Sequence, residues 1–146
     1  MKKLIFVTCS MFYAAMSFGQ DLKETEVPSV VLNTFKQQFP KAMDVEWKMK
    51  AALYKVEFEI GKDDHEVWLE KTGKIVKHKE EIKSEQLPKE VVASINKDFK
   101  GFKIHDPKKT DNAGVVTYKV ELKNTGSELD ITYDKTGKVI SKKADD

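Results

Sequence analysis

The side chains best suited to acid–base or metal chemistry are the three histidines, His65, His78 and His105. Zinc-binding segments commonly carry two histidines with three to five residues between them, or histidines close to cysteines, and no histidine of this chain has such a neighbour. His65 shares the strand parity of nearby apolar residues, which predicts a partly buried strand histidine. His105 precedes Asp106 beside a polar segment, which predicts a surface pair. The sequence therefore predicts neither a metal ligand nor a catalytic histidine.

Acidic pairs are the second group of residues that could do chemistry. Asp63-Asp64 and Asp111-Asn112 could contact a cation, but calcium takes six to eight oxygens, and an EF-hand alternates its ligands around a glycine. Neither segment has that spacing, so only weak cation binding is left as an alternative. Most of the 24 acidic residues alternate with apolar residues or lie among lysines, which is typical of a solvated face. We predict a non-enzymatic protein without a cofactor.

Trp68 breaks an otherwise regular pattern. It lies between Glu66 and Glu70, on the polar side of a predicted strand, whereas Trp47 has the parity of core residues. Tryptophan is enriched among the residues that dominate protein interfaces, so Trp68 is a candidate docking anchor. The alternative is that it packs under a chain end or its own hairpin. The residues predicted to share its face are Lys55, Glu57, Lys119, Glu121 and Thr132.

These residues belong to a duplicated sequence. The segment 27–39 matches the segment 87–99, and each begins with an apolar residue followed by proline. The segments 54–58 and 70–75 match segments that begin at Tyr118 and Asp134, four residues further along than the first match requires. Three matches in one order indicate two copies of a unit, at residues 20–83 and 84–146. The four-residue difference falls at 106–114, where Pro, Asp, Asn and Gly predict a longer loop.

Each copy begins with a predicted helix. Apolar residues recur at every fourth position and make one stripe on each helix, formed by Val27, Val31, Phe35 and Phe39, then by Leu87, Val91, Ile95 and Phe99. Pro28 and Pro88 fall in the first helical turn, where the missing N–H would be unpaired anyway. Pro40 ends the first predicted helix, and Gly101 suits a left-handed cap after the second.

Alternating apolar and polar residues follow each helix and predict antiparallel strands that are covered on one side only. Thr72-Gly73 and Thr136-Gly137 suit hairpin turns in which glycine supplies a positive φ. We therefore predict an α+β fold of two tandem repeats, each one helix followed by three or four antiparallel strands, with the helices packed on one sheet face. The other face is left polar and open to solvent.

Residues 1–19 predict a secretory signal peptide. Two lysines precede an apolar run, and the small residues Ser17 and Gly19 favour cleavage before Gln20. A retained anchor is the alternative. Cleavage would remove Cys9, the one cysteine, and two of the 26 basic residues, so the mature chain would have no net charge. Because every basic residue is lysine and the charge is balanced, we expect no binding to nucleic acid. The signal peptide predicts a periplasmic protein that does not insert into the membrane after its removal.

Several of these segments resemble a known family. The Leu/Val-Pro helix start, the Tyr-Lys-Val-Glu strand and the Lys-Thr-Gly-Lys-Ile/Val turn are similar to motifs of the PepSY-like, β-lactamase-inhibitor-protein-like family of periplasmic proteins. Glu46-Trp47 and Glu66-Val67-Trp68 also fit, and the resemblance covers Val27 to Ser141. It implies a tandem α/antiparallel-sheet fold and inhibitory protein binding. The inhibitors that lend the name contain disulfides, which the predicted mature chain lacks.

Two functions follow as hypotheses. The first is a non-catalytic periplasmic protein that binds another envelope or extracellular protein on its open sheet face, in one version as an enzyme inhibitor. The alternative is a small-molecule or cation-binding sensor of the cell envelope, with its site in the cleft between the copies. An enzyme ranks last, because no motif provides the convergent polar groups that a catalytic pocket requires.

Overall fold

The computed structural model describes residues 19–145, so the predicted signal peptide lies outside the described residues except for Gly19. The helices are α1 (Ser29–Gln38) and α2 (Lys89–Asp98), each preceded by a short 3-10 helix, Glu24–Glu26 or Ser84–Gln86. The strands are β1 (Gln20–Leu22), β2 (Met43–Lys50), β3 (Leu53–Ile60), β4 (Asp63–Leu69), β5 (Ile75–Glu81), β6 (Lys103–Asn112), β7 (Val115–Lys123), β8 (Glu128–Asp134) and β9 (Val139–Asp145).

The nine strands of the described residues form one antiparallel sheet in chain order. The prediction of an α+β fold with antiparallel strands is confirmed, and the two sequence copies share one continuous sheet. They join where β5 pairs with β6. We call this pairing the seam, and its register runs from Lys77 opposite Asn112 to Glu81 opposite Lys108. Within residues 19–145, neither helix combines the length and the apolar character that a membrane span requires.

Each helix packs on the sheet through its apolar stripe and makes a separate core. The first core contains Val27, Val31, Phe35, Trp47, Val56, Phe58, Val67 and Leu69. The second core contains Ile82, Leu87, Val91, Ile95, Val120, Leu122, Ile131 and Tyr133. Burial of a Val, Leu, Ile or Phe side chain stabilises a fold by about 1.5–3 kcal/mol relative to exposure, so each half is held mainly by its own core.

Both cores lie on the same face of the sheet. Val67 of the first core is opposite His78 on β5, and His78 is opposite Asp111 across the seam. Asp111 is in turn opposite Val116 on β7, which has the strand parity of the core residue Val120. Because cross-strand partners point to one side of a sheet and residues two apart do the same, α1 and α2 cover one side together.

The longer loop expected at 106–114 is wrong, because most of this segment is strand. The β6–β7 hairpin continues to the pair Asn112 and Val115, whereas the matching β2–β3 hairpin closes at Lys50 opposite Leu53. The four extra residues therefore lengthen the second hairpin by two residues on each strand. Composition alone predicted a loop, but turn-forming residues at the tip of a hairpin do not prevent its strands from extending.

Pro107 is tolerated inside β6 because the strand carries a bulge there. Asp106 has a φ of 43°, and the β6–β7 register shifts at this point. A bulge interrupts the ladder locally, so the missing proline N–H leaves no gap in the regular pairing. The Pro107 carbonyl accepts a hydrogen bond from Ile82 N at 2.9 Å, and Ala113 N donates to Val76 O at 3.0 Å, which closes the seam at both ends.

The two predicted glycine turns contact the helices. Gly73 and Gly137 have φ values of 85° and 82°, so the prediction of positive φ is confirmed. A Cβ on Gly137 would lie 2.4 Å from the Glu90 carbonyl oxygen, and a Cβ on Gly73 would lie 2.8 Å from Thr34 Oγ1. Ser94 Oγ also donates to the Gly137 carbonyl at 2.7 Å. Each turn needs glycine both for its backbone angle and for its close approach to a helix.

Tyr133 on β8 is fully buried in the second core. Its hydroxyl has no hydrogen-bond partner among the described residues. Burial, with a smaller contribution from Asp98, raises the pKa of Tyr133 to about 12. The repeat counterpart in the first core is Leu69, which is equally buried and wholly apolar. The second core therefore contains a polar atom for which the first core has no equivalent.

Candidate functional site

The sheet face opposite α1 and α2, which we call the open face, carries charged side chains in registered rows. One row runs from Lys55 on β3 to Trp68 on β4 and then to Lys77 on β5. The adjacent row runs from Glu57 through Glu66 to Lys79. Period-two alternation creates this arrangement, because every residue between two core positions of a strand points to the other side.

Carboxylates of the first half are shared between lysines. Glu57 contacts Lys48 Nζ at 2.6 Å and Lys55 Nζ at 2.5 Å, and these hydrogen bonds lower the pKa of Glu57. Glu66 contacts Lys55 and Lys79, each at 2.6 Å. Burial acts to raise the pKa of Glu66, but the two lysines outweigh burial, so this pKa is also lowered. The result is one continuous ion-pair network across β2 to β5.

The second half of the open face has separate ion pairs and no continuous network among the described residues. Lys119 Nζ lies 2.6 Å from Asp130, and the Lys119 side chain is 48% exposed. Lys123 contacts Glu121 at 3.1 Å and Glu128 at 3.2 Å. Exposed ion pairs of this kind contribute little to stability, because solvent screens the attraction and holding long side chains costs entropy.

Trp68 lies within the network of the first half. Lys77 Nζ is 4.4 Å from the centroid of the Trp68 ring and Lys55 Nζ is 5.1 Å from it. A lysine over an aromatic face contributes about 0.5–1 kcal/mol at exposed sites. Lys55 also contacts two carboxylates, whereas Lys77 forms no ion pair within residues 19–145. The half-buried Trp68 ring therefore lies between Lys55, whose charge is neutralised by two carboxylates, and Lys77, which is available to bind an anion.

Strand register divides the six residues predicted for the docking surface into two groups. Lys55, Glu57 and Trp68 are in contact on β3 and β4. Lys119 is opposite Thr132 on β7 and β8, with Glu121 two positions along β7. All six have the parity of the open face, but β5 and β6 separate the groups. The structure thus brings three of the six residues together around Trp68.

Two further residues of this surface were missed in the sequence. Lys77 contacts Trp68, and its row continues across the seam to Asn112 and then to Val115. Val115 is an exposed apolar residue, with 66% of its surface accessible. Only the seam register brings Val115 into this row, and no local pattern predicts a pairing between strands from different repeats.

The helix-covered face contains a second group, which we call the histidine cluster: His65 on β4 with His78 and Glu80 on β5. The ligand atoms that these three side chains offer all lie within 4.8 Å of one another. His65 is only 8% exposed, in line with its parity, and its Nδ1 lies 3.1 Å from His78 Nε2. Glu80 is opposite His65 and accepts a hydrogen bond from Lys109 at 2.9 Å.

The histidine cluster borders a groove of about 520 Å³ at the seam, between the end of α1 and the tip of the β6–β7 hairpin. His78, Glu80 and Asp111 line this groove. Burial lowers the pKa of His78, with Glu80 acting in the opposite direction, so its imidazole is mainly neutral at pH 7. A neutral imidazole can donate from one nitrogen and offer a lone pair from the other. His105 and Asp106 are exposed and lie outside the cluster.

Comparisons with known proteins agree with this fold. A structure from Bacteroides eggerthii, described as "putative periplasmic proteins", has a TM-score of 0.69 and 15% identity, and the match covers 81% of this chain and 88% of that one. A BLIP-like protein from Bacteroides fragilis has a TM-score of 0.64 and 17% identity, covering 80% and 85%. At such identities the likeness concerns the fold alone. No curated protein matches this sequence.

The sequence also matches the model of one protein family at two places. Residues 17–77 match once and residues 52–141 match again, so nearly all of the described chain is covered. The two matches overlap at residues 52–77. The chain therefore belongs to the PepSY-like family, described as "putative beta-lactamase-inhibitor-like".

Proposed function

We propose that this chain is a non-catalytic periplasmic protein that binds another protein through its open face, with Trp68 as the anchor. The observation that carries the proposal is the half-buried Trp68 ring on an uncovered sheet face, held between Lys55 and Lys77. Interface anchors are commonly aromatic residues surrounded by polar contacts that exclude water. The lysines and carboxylates around Trp68 supply such a rim.

The proposed partner is an envelope or extracellular protein whose contact surface presents a carboxylate beside an apolar side chain. Lys55 is already neutralised by two carboxylates, so Lys77 is the cation that an incoming acidic group would bind. The exposed Val115 in the same row offers an apolar contact two strands away. Complementary charge of this kind favours fast association and excludes partners with a basic surface.

The open face is large enough for such an interface. With strands about 4.8 Å apart, nine strands extend about 38 Å, and seven residues of strand extend about 20 Å. The face therefore presents about 750 Å², close to the 800 Å² that each partner contributes to a typical stable interface. In the first half the ion-pair network already holds the side chains, so binding orders few of them there, which limits the entropy cost.

The proposed location is the periplasm, after removal of a signal peptide by cleavage between Gly19 and Gln20. The lysine pair, the apolar run and the small residues at 17 and 19 support this route. Cleavage at that bond would leave β1 complete, because β1 begins at Gln20. Residues 20–83 and 84–146 are the proposed repeat units of the mature chain.

The test is a comparison of Trp68→Ala with Thr132→Ala, its counterpart in the second half. Each chain is used to capture proteins from an envelope extract, and a captured protein is then purified and its dissociation constant measured by calorimetry. We expect Trp68→Ala to weaken binding by about 30-fold or more, since anchors contribute about 2 kcal/mol or more. Thr132→Ala should stay within about twofold of the unsubstituted chain.

A reversal of charge, Lys77→Glu, tests the proposed chemistry of the partner. It should slow association with an acidic partner and leave thermal unfolding nearly unchanged. A purified partner that binds Trp68→Ala as tightly as the unsubstituted chain would overturn the proposal. If the partner is an enzyme, titrating its activity with the unsubstituted chain and with Trp68→Ala tests inhibition directly.

A further inference from the structure

We propose that His65, His78 and Glu80 form a binding site for a divalent transition-metal ion of the zinc class. The site lies on the helix-covered face at the seam, so it is independent of protein binding on the open face. The two histidines come from different strands, and their imidazole nitrogens face each other in the fold. Glu80 provides the third ligand, on the same strand as His78 and opposite His65.

The distance between the imidazole nitrogens suits a tetrahedral ion. Two Zn–N bonds of 2.0–2.1 Å at a tetrahedral angle hold the nitrogens about 3.3–3.4 Å apart. His65 Nδ1 and His78 Nε2 are already 3.1 Å apart. Binding an ion would therefore need a separation larger by only a few tenths of an ångström, with the ion in place of the proton that the two rings share.

The surroundings hold the ligands in position. Phe58 stacks on His65 with a centroid distance of 5.2 Å, and Phe39 meets His78 edge-on at 5.3 Å, so neither ring turns freely. One carboxylate oxygen of Glu80 accepts from Lys109, which orients this side chain and leaves the second oxygen for an ion. Outer contacts of this type commonly orient metal ligands and strengthen their binding.

The ligand chemistry selects the class of ion. Imidazole nitrogens favour zinc, copper and nickel, whereas calcium and magnesium require several oxygens. Three protein ligands leave a fourth position, which would face the groove and take water or a group supplied there. Glu80 and Asp111 provide negative charge near the ion, partly offset by Lys109, and the end of α1 contributes the uncharged Phe39 and Gln38.

The second half of the chain provides a matched control. The repeat counterparts of His65, His78 and Glu80 are Leu129, Lys142 and Ala144, at the same register of β8 and β9. His65→Leu and His78→Lys therefore introduce residues that this sheet already accommodates at equivalent positions. Each substitution removes one ligand with little change in packing, so loss of binding can be distinguished from loss of fold.

The experiment is a calorimetric titration of the whole chain, without an affinity tag containing histidine, with Zn²⁺ near neutral pH. We expect one ion per chain, with binding abolished in His65→Leu and His78→Lys and weakened by about tenfold or more in Glu80→Gln. His105→Ala, which removes the exposed histidine outside the cluster, should bind as the unsubstituted chain does. With Co²⁺, the visible absorption typical of tetrahedral coordination should appear and should be lost in His78→Lys.

Several results would overturn the proposal. One is the absence of saturable Zn²⁺ binding below about 100 μM, because a three-ligand site of this kind should exceed that affinity. Another is equal binding by His65→Leu or His78→Lys when thermal unfolding shows that the variant is folded. A third is equal binding of Mg²⁺ or Ca²⁺, which would assign the signal to the carboxylate groove lined by Asp44, Glu46, Glu57, Glu59, Asp64 and Glu66.

Discussion

The two halves of the sheet place different chemistry at equivalent positions. In the first half, β4 and β5 carry His65, His78 and Glu80, whereas the same register in the second half has Leu129, Lys142 and Ala144. The neighbouring aromatic residue is retained. Phe39 contacts His78 with centroids 5.3 Å apart, and its counterpart Phe99 lies 5.0 Å from Lys142 Nζ. The equivalent positions thus keep the same strand pairing and the aromatic neighbour, but carry different polar groups.

The two halves also differ in their position in the sheet. β5 is an internal strand that pairs with β6, whereas β9 is the last strand of the sheet. A side chain on β5 therefore has neighbours from both repeats, including Asp111 and Lys109 across the seam. A side chain on β9 has neighbours from its own repeat only. All three ligands of the histidine cluster belong to the first half, and the seam adds Lys109, which orients Glu80, and Asp111, which lines the groove.

The glycine turns offer the largest expected difference between the halves. We expect Gly137→Ala to destabilise the fold by about 2–4 kcal/mol, because a positive φ costs alanine about 1–2 kcal/mol and the added Cβ meets the backbone of α2. Gly73→Ala should cost less, about 1–2 kcal/mol, because its nearest neighbour is the rotatable Thr34 hydroxyl and the closest backbone atom, the Val30 carbonyl oxygen, would be 3.1 Å away. Urea unfolding measures both changes in the free energy of unfolding.

Gly61→Ala isolates the backbone contribution, since Gly61 has a φ of 72° and no atom within 4 Å of a Cβ built there. The difference between Gly137→Ala and Gly61→Ala then reports the contact with α2. If the two substitutions destabilised equally, the close approach of this turn to the helix would not exist in solution.

The buried hydroxyl of Tyr133 should distinguish the second core from the first. Tyr133→Phe removes a polar atom without a partner among the described residues, so we expect it to stabilise the chain by about 1 kcal/mol at neutral pH. The folded-state pKa of about 12 lies above the unfolded value of 10. The unfolded chain therefore loses this proton first, and stability that is complete below pH 10 falls by about 2–3 kcal/mol as pH rises to 12.

Denaturant unfolding of both proteins at several alkaline pH values isolates this effect, because lysine titration is common to both. The stability gap between Tyr133→Phe and the unsubstituted chain should widen from pH 10 to 12. A constant gap over that range would mean that Tyr133 is hydrated and not buried.

The charged networks offer the smallest expected difference. Glu66 is held by two lysines and its pKa is lowered, whereas among the described residues its counterpart Asp130 forms an ion pair with the half-exposed Lys119 alone. We expect Glu66→Gln to cost about 1 kcal/mol at neutral pH, and Asp130→Asn to cost no more than about 0.5 kcal/mol. Because the pKa of Glu66 is lowered on folding, its contribution is present above the unfolded pKa near 4.5 and is lost as pH falls below it.

Thermal unfolding at neutral and acid pH measures both substitutions. The cost of Glu66→Gln should shrink on acidification, since the unsubstituted carboxylate is then protonated as well. If Asp130→Asn cost as much as Glu66→Gln at every pH, the shared network would contribute nothing beyond a single pair.

Much of the fold follows from the sequence because its periodicity is strict. The four-residue stripes predict α1 and α2, and the glycine turns predict two hairpins. The prediction of a loop at 106–114 was wrong because composition cannot reveal a bulge that accommodates Pro107. The seam could not be predicted either, since it pairs strands of different repeats, and register between such strands depends on the assembled structure.

The histidine cluster could have been predicted from the sequence. Folding the predicted strands about the Thr72-Gly73 turn pairs His65 with Glu80 and Val67 with His78, which is the observed register. No local motif indicates the cluster, because its two histidines are 13 residues apart and lie on two different strands. Pairing the two strands around the turn places His65 and His78 close together, which their separation in the sequence does not reveal.

The register of the seam determines which face of the sheet each helix covers. Side chains alternate along a strand, so sliding β6 by a single residue against β5 would send the core residues of the second repeat, and α2 with them, to the opposite surface. Each surface would then be half covered, and no broad contact area would exist. The five residue pairs of β5 and β6 hold the observed register, together with the backbone bonds from Ile82 to Pro107 and from Ala113 to Val76. The register of one strand pairing at the centre of the sheet thus decides that one whole surface stays bare.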